Sequence, residues 1–142
     1  SYTHPYFHEG SQTLYFSSNR SGGIGGFDLY QVSLSNGVWG EPQLLGQDIN
    51  SDKDEGFPFV SAFGELFYSS TGKGGLGGAD IFCFNMQENR LYNPGYPINS
   101  PYHDWSLQRS DAYHGFLISS RSGNDEVWLV KFHTAALEVK LS

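Results

Sequence analysis

Short runs in which apolar and aromatic residues alternate with polar ones follow one another along this chain, each closed by a turn signal. The first run extends from about His4 to His8 and ends at a Glu-Gly-Ser turn. "TLYFSS" (13–18) is the second, stopping at a glycine-rich stretch. "FDLYQVSL" (27–34) is the third, closed by the hairpin signal Ser35-Asn36-Gly37. "VWGEPQLL" (38–45) is the fourth and belongs at an outer edge, where Pro42 removes no ladder hydrogen bond. The pattern predicts four short antiparallel strands in about 50 residues.

The pattern then recurs. "SSNRSGGIGGFDLY" (17–30) returns 52 residues later as "SSTGKGGLGGADIF" (69–82), with seven of 14 positions identical. A shorter third copy reads "SSRSGNDEVW" (119–128). The flanks follow suit: "HPYFHEGSQTLYFSS" (4–18) aligns with "FPFVSAFGELFYSS" (57–70) and more loosely with "WSLQRSDAYHGFLISS" (105–120). "DINSDKDEGF" (48–57) and "PINSPYHDWS" (97–106) share Ile-Asn-Ser, a spacer, an acid and an aromatic. In the second copy "ENR" marks the hairpin and "LYNPG" a weaker fourth strand. Repetition at this period with four strands per unit predicts an all-β chain of β-propeller blades, about 3–50, 51–100 and 101–142.

Composition agrees with short strands and tight turns: 16% of the 142 residues are aromatic and 18 are Gly. A net charge of −7 without a Lys/Arg cluster argues against nucleic acid and against docking on an anionic membrane. No apolar run reaches membrane-spanning length. Cys83 is the single cysteine, so no internal disulfide and no thiolate metal cluster is expected.

The glycine-rich loops invite a phosphate-cradle reading, which needs backbone amides leading into a helix. Here Gly22, Gly23, Gly25 and Gly26 lead into "FDLY", and Gly74, Gly75, Gly77 and Gly78 lead into "ADIF", both strand-like. These loops therefore read as wide turns between strands. Asp28, Asp80 and Glu126 hold equivalent positions before an apolar pair and read as acceptors for turn amides rather than as cation ligands. The acidic run at Asp48, Asp52, Asp54 and Glu55 lacks the offsets of a calcium loop. Asn50 and Asn99 of the two linkers are assigned a shared role in the turn between units. The five histidines, His4, His8, His103, His114 and His133, assemble no metal set, and His103-Asp104 lacks a nucleophile signature beside it. No catalytic, cofactor or metal residue is expected. A face formed by Tyr102, Asp104 and Trp105 is the candidate for ligand contact, and a second reading makes it a carbohydrate-binding or glycoside-hydrolysing surface.

"HPYF…G…LYFSSNR…GG.D.Y" resembles the propeller repeat of the TolB family. The double Gly-Gly before "FDLY" or "ADIF", with the "INS…DE" linkers, looks like repeats in OmpA-family, peptidoglycan-associated envelope proteins of Bacteroidetes-type bacteria. Some of these belong to type IX secretion and gliding machinery. The resemblance covers about residues 3 to 132 and departs at the usual "SPDG" turn, here "HEG", "SAFG" and "RSDAYHG". It implies a periplasmic, outer-membrane-associated interaction scaffold without enzymatic activity. Partners would be envelope proteins, with peptidoglycan or glycan reached through the larger assembly. Three units fall short of the roughly four that a closed ring needs. The expectation is therefore a partial propeller, a fragment of a larger chain, or a homodimer that closes a six-bladed ring. "HTAALEVKLS" (133–142) reads as one more strand, closing the last unit or opening another module.

Overall fold

A computed structural model describes residues 1–132 and 137–141. It is all-β, with three antiparallel sheets, none of them closed. In the first sheet β1 (Tyr2–His8), β2 (Thr13–Ser18), β3 (Asp28–Ser35) and β4 (Val38–Trp39) stand in sequence order, and β5 (Gln43–Leu44) also pairs with β3. The second sheet runs β6 (Glu55–Val60), β7 (Glu65–Ser70), β8 (Asp80–Asn85) and β9 (Arg90–Tyr92). The third runs β10 (Asp104–Arg109), β11 (His114–Ser119), β12 (Glu126–Phe132) and β13 (Leu137–Leu141). The predicted fourth strand of the first unit is split in two around Gly40, Glu41 and Pro42. The C-terminal segment pairs with β12 and so completes the third sheet, while His133 lies outside the described residues.

Strand register follows the repeat, with the third unit one residue out of step with its Ser-Ser alignment, Ser119 standing where Ser18 and Ser70 stand. Ser18 faces Asp28, Ser70 faces Asp80 and Ser119 faces Glu126. Because side chains alternate along a strand, each sheet has two apolar faces, and consecutive sheets pack face on face. Tyr15 and Leu29 of the first sheet meet Leu66, Tyr68, Phe82 and Phe84 of the second across Ile49 of the linker. Phe67, Ile81 and Cys83 on the second sheet's other face meet Leu107, Leu117 and Val130 of the third across Ile98. Full burial of each such side chain stabilises by about 1.5–3 kcal/mol, so the two seams carry most of the core.

Polar groups at the seams are matched. The hydroxyl of Tyr68, fully buried, donates to the Ile49 carbonyl at 2.9 Å, and burial pushes this phenol far above its ordinary range. Arg109 of β10 pairs with Glu65 of β7 at 2.9 Å between the rings of Phe63 and Phe132. Cys83 is buried, and burial pushes its thiol up to about 12. No helix among the described residues is long and apolar enough to cross a membrane.

Candidate functional site

Each linker plugs a seam by the same set of bonds. Asn50 accepts from the Leu29 N–H at 2.7 Å and donates to the Leu29 and Leu45 carbonyls. Asn99 accepts from the Ile81 N–H at 2.6 Å and donates to the Ile81 carbonyl at 2.9 Å. The following serine and the acid close the turn. Glu55 accepts from the Ser51 N–H, the Ser51 hydroxyl and the Ser70 hydroxyl. Asp104 accepts from the Ser100 N–H, the Ser100 hydroxyl and the Ser119 hydroxyl. The shared role expected of Asn50 and Asn99 is thus a side-chain amide that mimics a strand edge for the buried backbone of β3 and β8.

The glycine-rich loops do bind an anion, but it is the chain's own. Asp28 accepts from the Ile24 and Gly25 N–H groups, and Asp80 accepts from the Gly77 N–H. A Cβ at Gly23 or Gly75 would stand 2.2 or 2.3 Å from that carboxylate. One oxygen of Asp80 is buried without a partner among the described residues, and burial raises its carboxyl pKa. The third loop is shorter, and Glu126 there accepts from the Ser122 hydroxyl at 2.5 Å. The second glycine of each unit's later pair serves the linker: Gly26 donates to the Lys53 carbonyl and Gly78 to the Tyr102 carbonyl. Asp54 and His103 occupy one equivalent position and do the same work, accepting from the Phe27 and Ala79 N–H groups.

The residues expected to share a ligand face do not converge. Asp104 has no exposed surface and pairs with Arg121 at 2.8 Å, while Arg121 also clasps the Pro97 and Ile98 carbonyls. Tyr102 points to solvent, 56% exposed. Trp105 alone lies at an opening, its ring N–H donated to Asp125 at 3.0 Å and its face stacked on His103 at 4.7 Å. An acid held inside a seam cannot pair with its neighbour His103 or serve a sugar at the surface.

A cleft of about 340 Å³ lies beside Trp105, where β1, β6 and the start of β10 approach one another. His4 and Phe57 form its floor, stacked at 3.6 Å with 18° between the rings, and Phe57 leans on Trp105 at 6.2 Å. Phe27, Ala79, Thr71 and Asp54 complete the walls. His4 and Phe57 occupy equivalent positions, each before a proline and each within a bulge of the first strand of its sheet. Both have left-handed backbones, φ 52° and 53°, which for a bulky residue such as Phe57 is a strained conformation. Phe57 is half-buried and lines the cleft. The repeated aromatic-or-His-Pro pair was the available signal, but nothing in the residue types announces a positive φ.

The His4 Nδ1 accepts from the Phe57 N–H at 3.3 Å, which requires an unprotonated nitrogen, and burial lowers its pKa. Above the ordinary value of 6.5 neither state binds the proton, so His4 contributes no pH dependence there. As pH falls from 6.5 through the lowered folded value, the unfolded chain takes up a proton first and stability declines. Asparagine tolerates the left-handed backbone and keeps an acceptor. His4→Asn is expected to flatten this acid limb in a plot of urea midpoint against pH; an unaltered slope would locate the titration elsewhere.

No family model, curated protein or solved structure matches this chain. Among the described residues, no three His, Cys, Asp or Glu side chains are grouped so as to hold a metal ion. What the cleft offers chemically is a mostly apolar, aromatic floor with one partly buried indole plate and few hydrogen-bonding groups left uncommitted. Glu55 is saturated by serines and Asp54 is engaged by Phe27, so the walls present no pair of free carboxylates.

Proposed function

We propose that the chain is a non-enzymatic interaction scaffold: three β-propeller blades whose inner-strand cleft receives an apolar side chain from an extended segment of a protein partner. The observation that carries this reading is the strained His4–Phe57 stack beside Trp105, a bulky pair held in a sparsely populated conformation on the floor of a cleft. Strain of this kind persists where surrounding structure enforces it, and it concentrates at ligand clamps. Rigid sheets presenting such a feature suit recognition rather than chemistry. The repeat resemblance supports a setting in the cell envelope, on the periplasmic side of the outer membrane, within a secretion or peptidoglycan-associated assembly.

The indole N–H resonance of Trp105 in a ¹⁵N-labelled sample tests the cleft. Short extended peptides that differ only in a central Phe, Leu or Asp are titrated in parallel with N-acetylglucosamine oligomers. A saturable shift with the Phe and Leu peptides, absent with Asp and lost in Trp105→Ala, is the expected result. Saturation by the sugar alone would replace the peptide reading with the glycan one. Silence in every titration would remove the cleft as a binding site.

A further inference from the structure

Two buried acids hold equivalent places but are balanced differently. Glu55 faces Ser70 as Asp104 faces Ser119, and each accepts from its linker serine and from that facing serine. Asp104 has in addition the Arg121 guanidinium at 2.8 Å. Arg121 stands two places after Ser119, whereas Gly72 stands two places after Ser70, so the second unit supplies no such arginine. Every donor to the Glu55 side chain among the described residues is neutral: the Ser51 N–H, the Ser51 hydroxyl and the Ser70 hydroxyl. A buried carboxylate without a counter-charge keeps its field, because little solvent is present to screen it. Glu55 lines the aromatic cleft.

Two exposed acids add to that field. Asp54 stands in the cleft wall, its Oδ1 accepting the Phe27 N–H at 2.8 Å, a bond that leaves the negative charge in place. Asp125 accepts the Trp105 indole N–H at 3.0 Å, so its carboxylate lies against the edge of the ring that borders the opening. No Lys or Arg lines the cleft. Arg121 is committed to Asp104 and Arg109 to Glu65, and Arg20 lies over the ring of Tyr30. Lys53, the neighbour of Asp54 in sequence, turns its Cβ toward Gly72 and forms no ion pair among the described residues. His4 adds no positive charge while its Nδ1 accepts from Phe57. The cleft is therefore apolar on its floor and negative at its walls.

We infer that the partner segment carries a Lys or Arg beside its apolar side chain, the cation lying against Asp54 and Asp125 while the apolar group rests on Phe57 and Trp105. This rests on the cleft reading and adds to it the charge of the partner. Unbalanced carboxylates select by repulsion as well as by attraction, so a partner with an acid at the same place is rejected.

Three extended peptides with the same central Phe, flanked on both sides by Lys, Gln or Glu, test it on the whole chain through the Trp105 indole resonance. At low salt the Lys peptide should bind about fivefold more tightly than the Gln peptide, and the Glu peptide should be the weakest. High salt should draw the three together, since exposed charges are screened. Asp54→Asn combined with Asp125→Asn keeps an oxygen for the Phe27 and Trp105 N–H groups and removes both exposed charges. In that variant the Lys peptide should fall to the affinity of the Gln peptide, while the Gln peptide holds its own. If the variant loses its folded ¹⁵N spectrum, the salt series on the wild-type chain decides alone. Equal affinities for the three wild-type titrations overturn the inference and leave the apolar cleft standing. So does a Lys preference that survives high salt or the loss of both carboxylates. Silence with all three peptides removes the cleft reading and this inference with it.

Discussion

Asn99→Ala is expected to lower the unfolding free energy by about 2–4 kcal/mol, read as a fall in urea midpoint at constant slope. The side chain is fully buried and satisfies both the N–H and the carbonyl of Ile81. Alanine leaves those two groups stranded inside a seam that water does not reach, and each unsatisfied group costs about 1–3 kcal/mol. Asn50→Ala should behave alike, since Leu29 loses the same two bonds. Asn99→Asp separates hydrogen bonding from packing. It keeps the shape and the acceptor, but sets a carboxylate against the Ile81 carbonyl and the Asn93 side-chain oxygen. That repulsion raises the folded-state pKa, so the variant should be weak at neutral pH and recover as pH falls and a proton restores the donor. A loss equal to that of alanine at every pH would mean that the donor is immaterial.

Gly77→Ala should be comparably severe, at about 3 kcal/mol or more, the upper end of overpacking. An added Cβ would stand 1.9 Å from the Tyr102 carbonyl oxygen and 2.7 Å from that of Ser100, and both are backbone atoms that no rotamer change can move aside. Gly46→Ala is the control, with nothing within 4 Å of the new Cβ and no positive φ, and it should stay within about 0.5 kcal/mol of wild type. Thermal melts of the two variants decide the matter. Equal midpoints would show that the loop can slide away from the linker and that the close approach carries no stability.

The repeat was legible because its turn and linker residues are chemically special. Double glycines, Asp28 and Asp80, and Ile-Asn-Ser each answer a backbone demand that few other residues meet. The reading of the glycine loops as turns rested on the missing helix, and the structure adds that Asp28 and Asp80 occupy the anion position themselves. The partners across the seams were not legible. Gly25 faces the Ser51 carbonyl and Gly77 the Tyr102 carbonyl, each in the linker that follows its sheet, a proximity created only by stacking the sheets. Asp104 reads like any loop acid beside Tyr102 and Trp105. Its burial follows from Ser119 and Arg121, which approach from another strand and the loop beyond it. The left-handed backbones of His4 and Phe57 were invisible because bulky residues before proline normally read as extended.

The lone thiol has a practical consequence. Cys83 sits in the seam between the second and third sheets, and with its pKa at about 12 it is overwhelmingly protonated, and so unreactive, at neutral pH. Burial and the raised pKa slow alkylation while those two sheets are packed, so faster labelling at Cys83 reports the breathing of one seam. The chain carries its own single-site reporter there, readable by mass spectrometry without any substitution. Substitutions such as Asn99→Ala should speed that labelling, because they loosen the same joint.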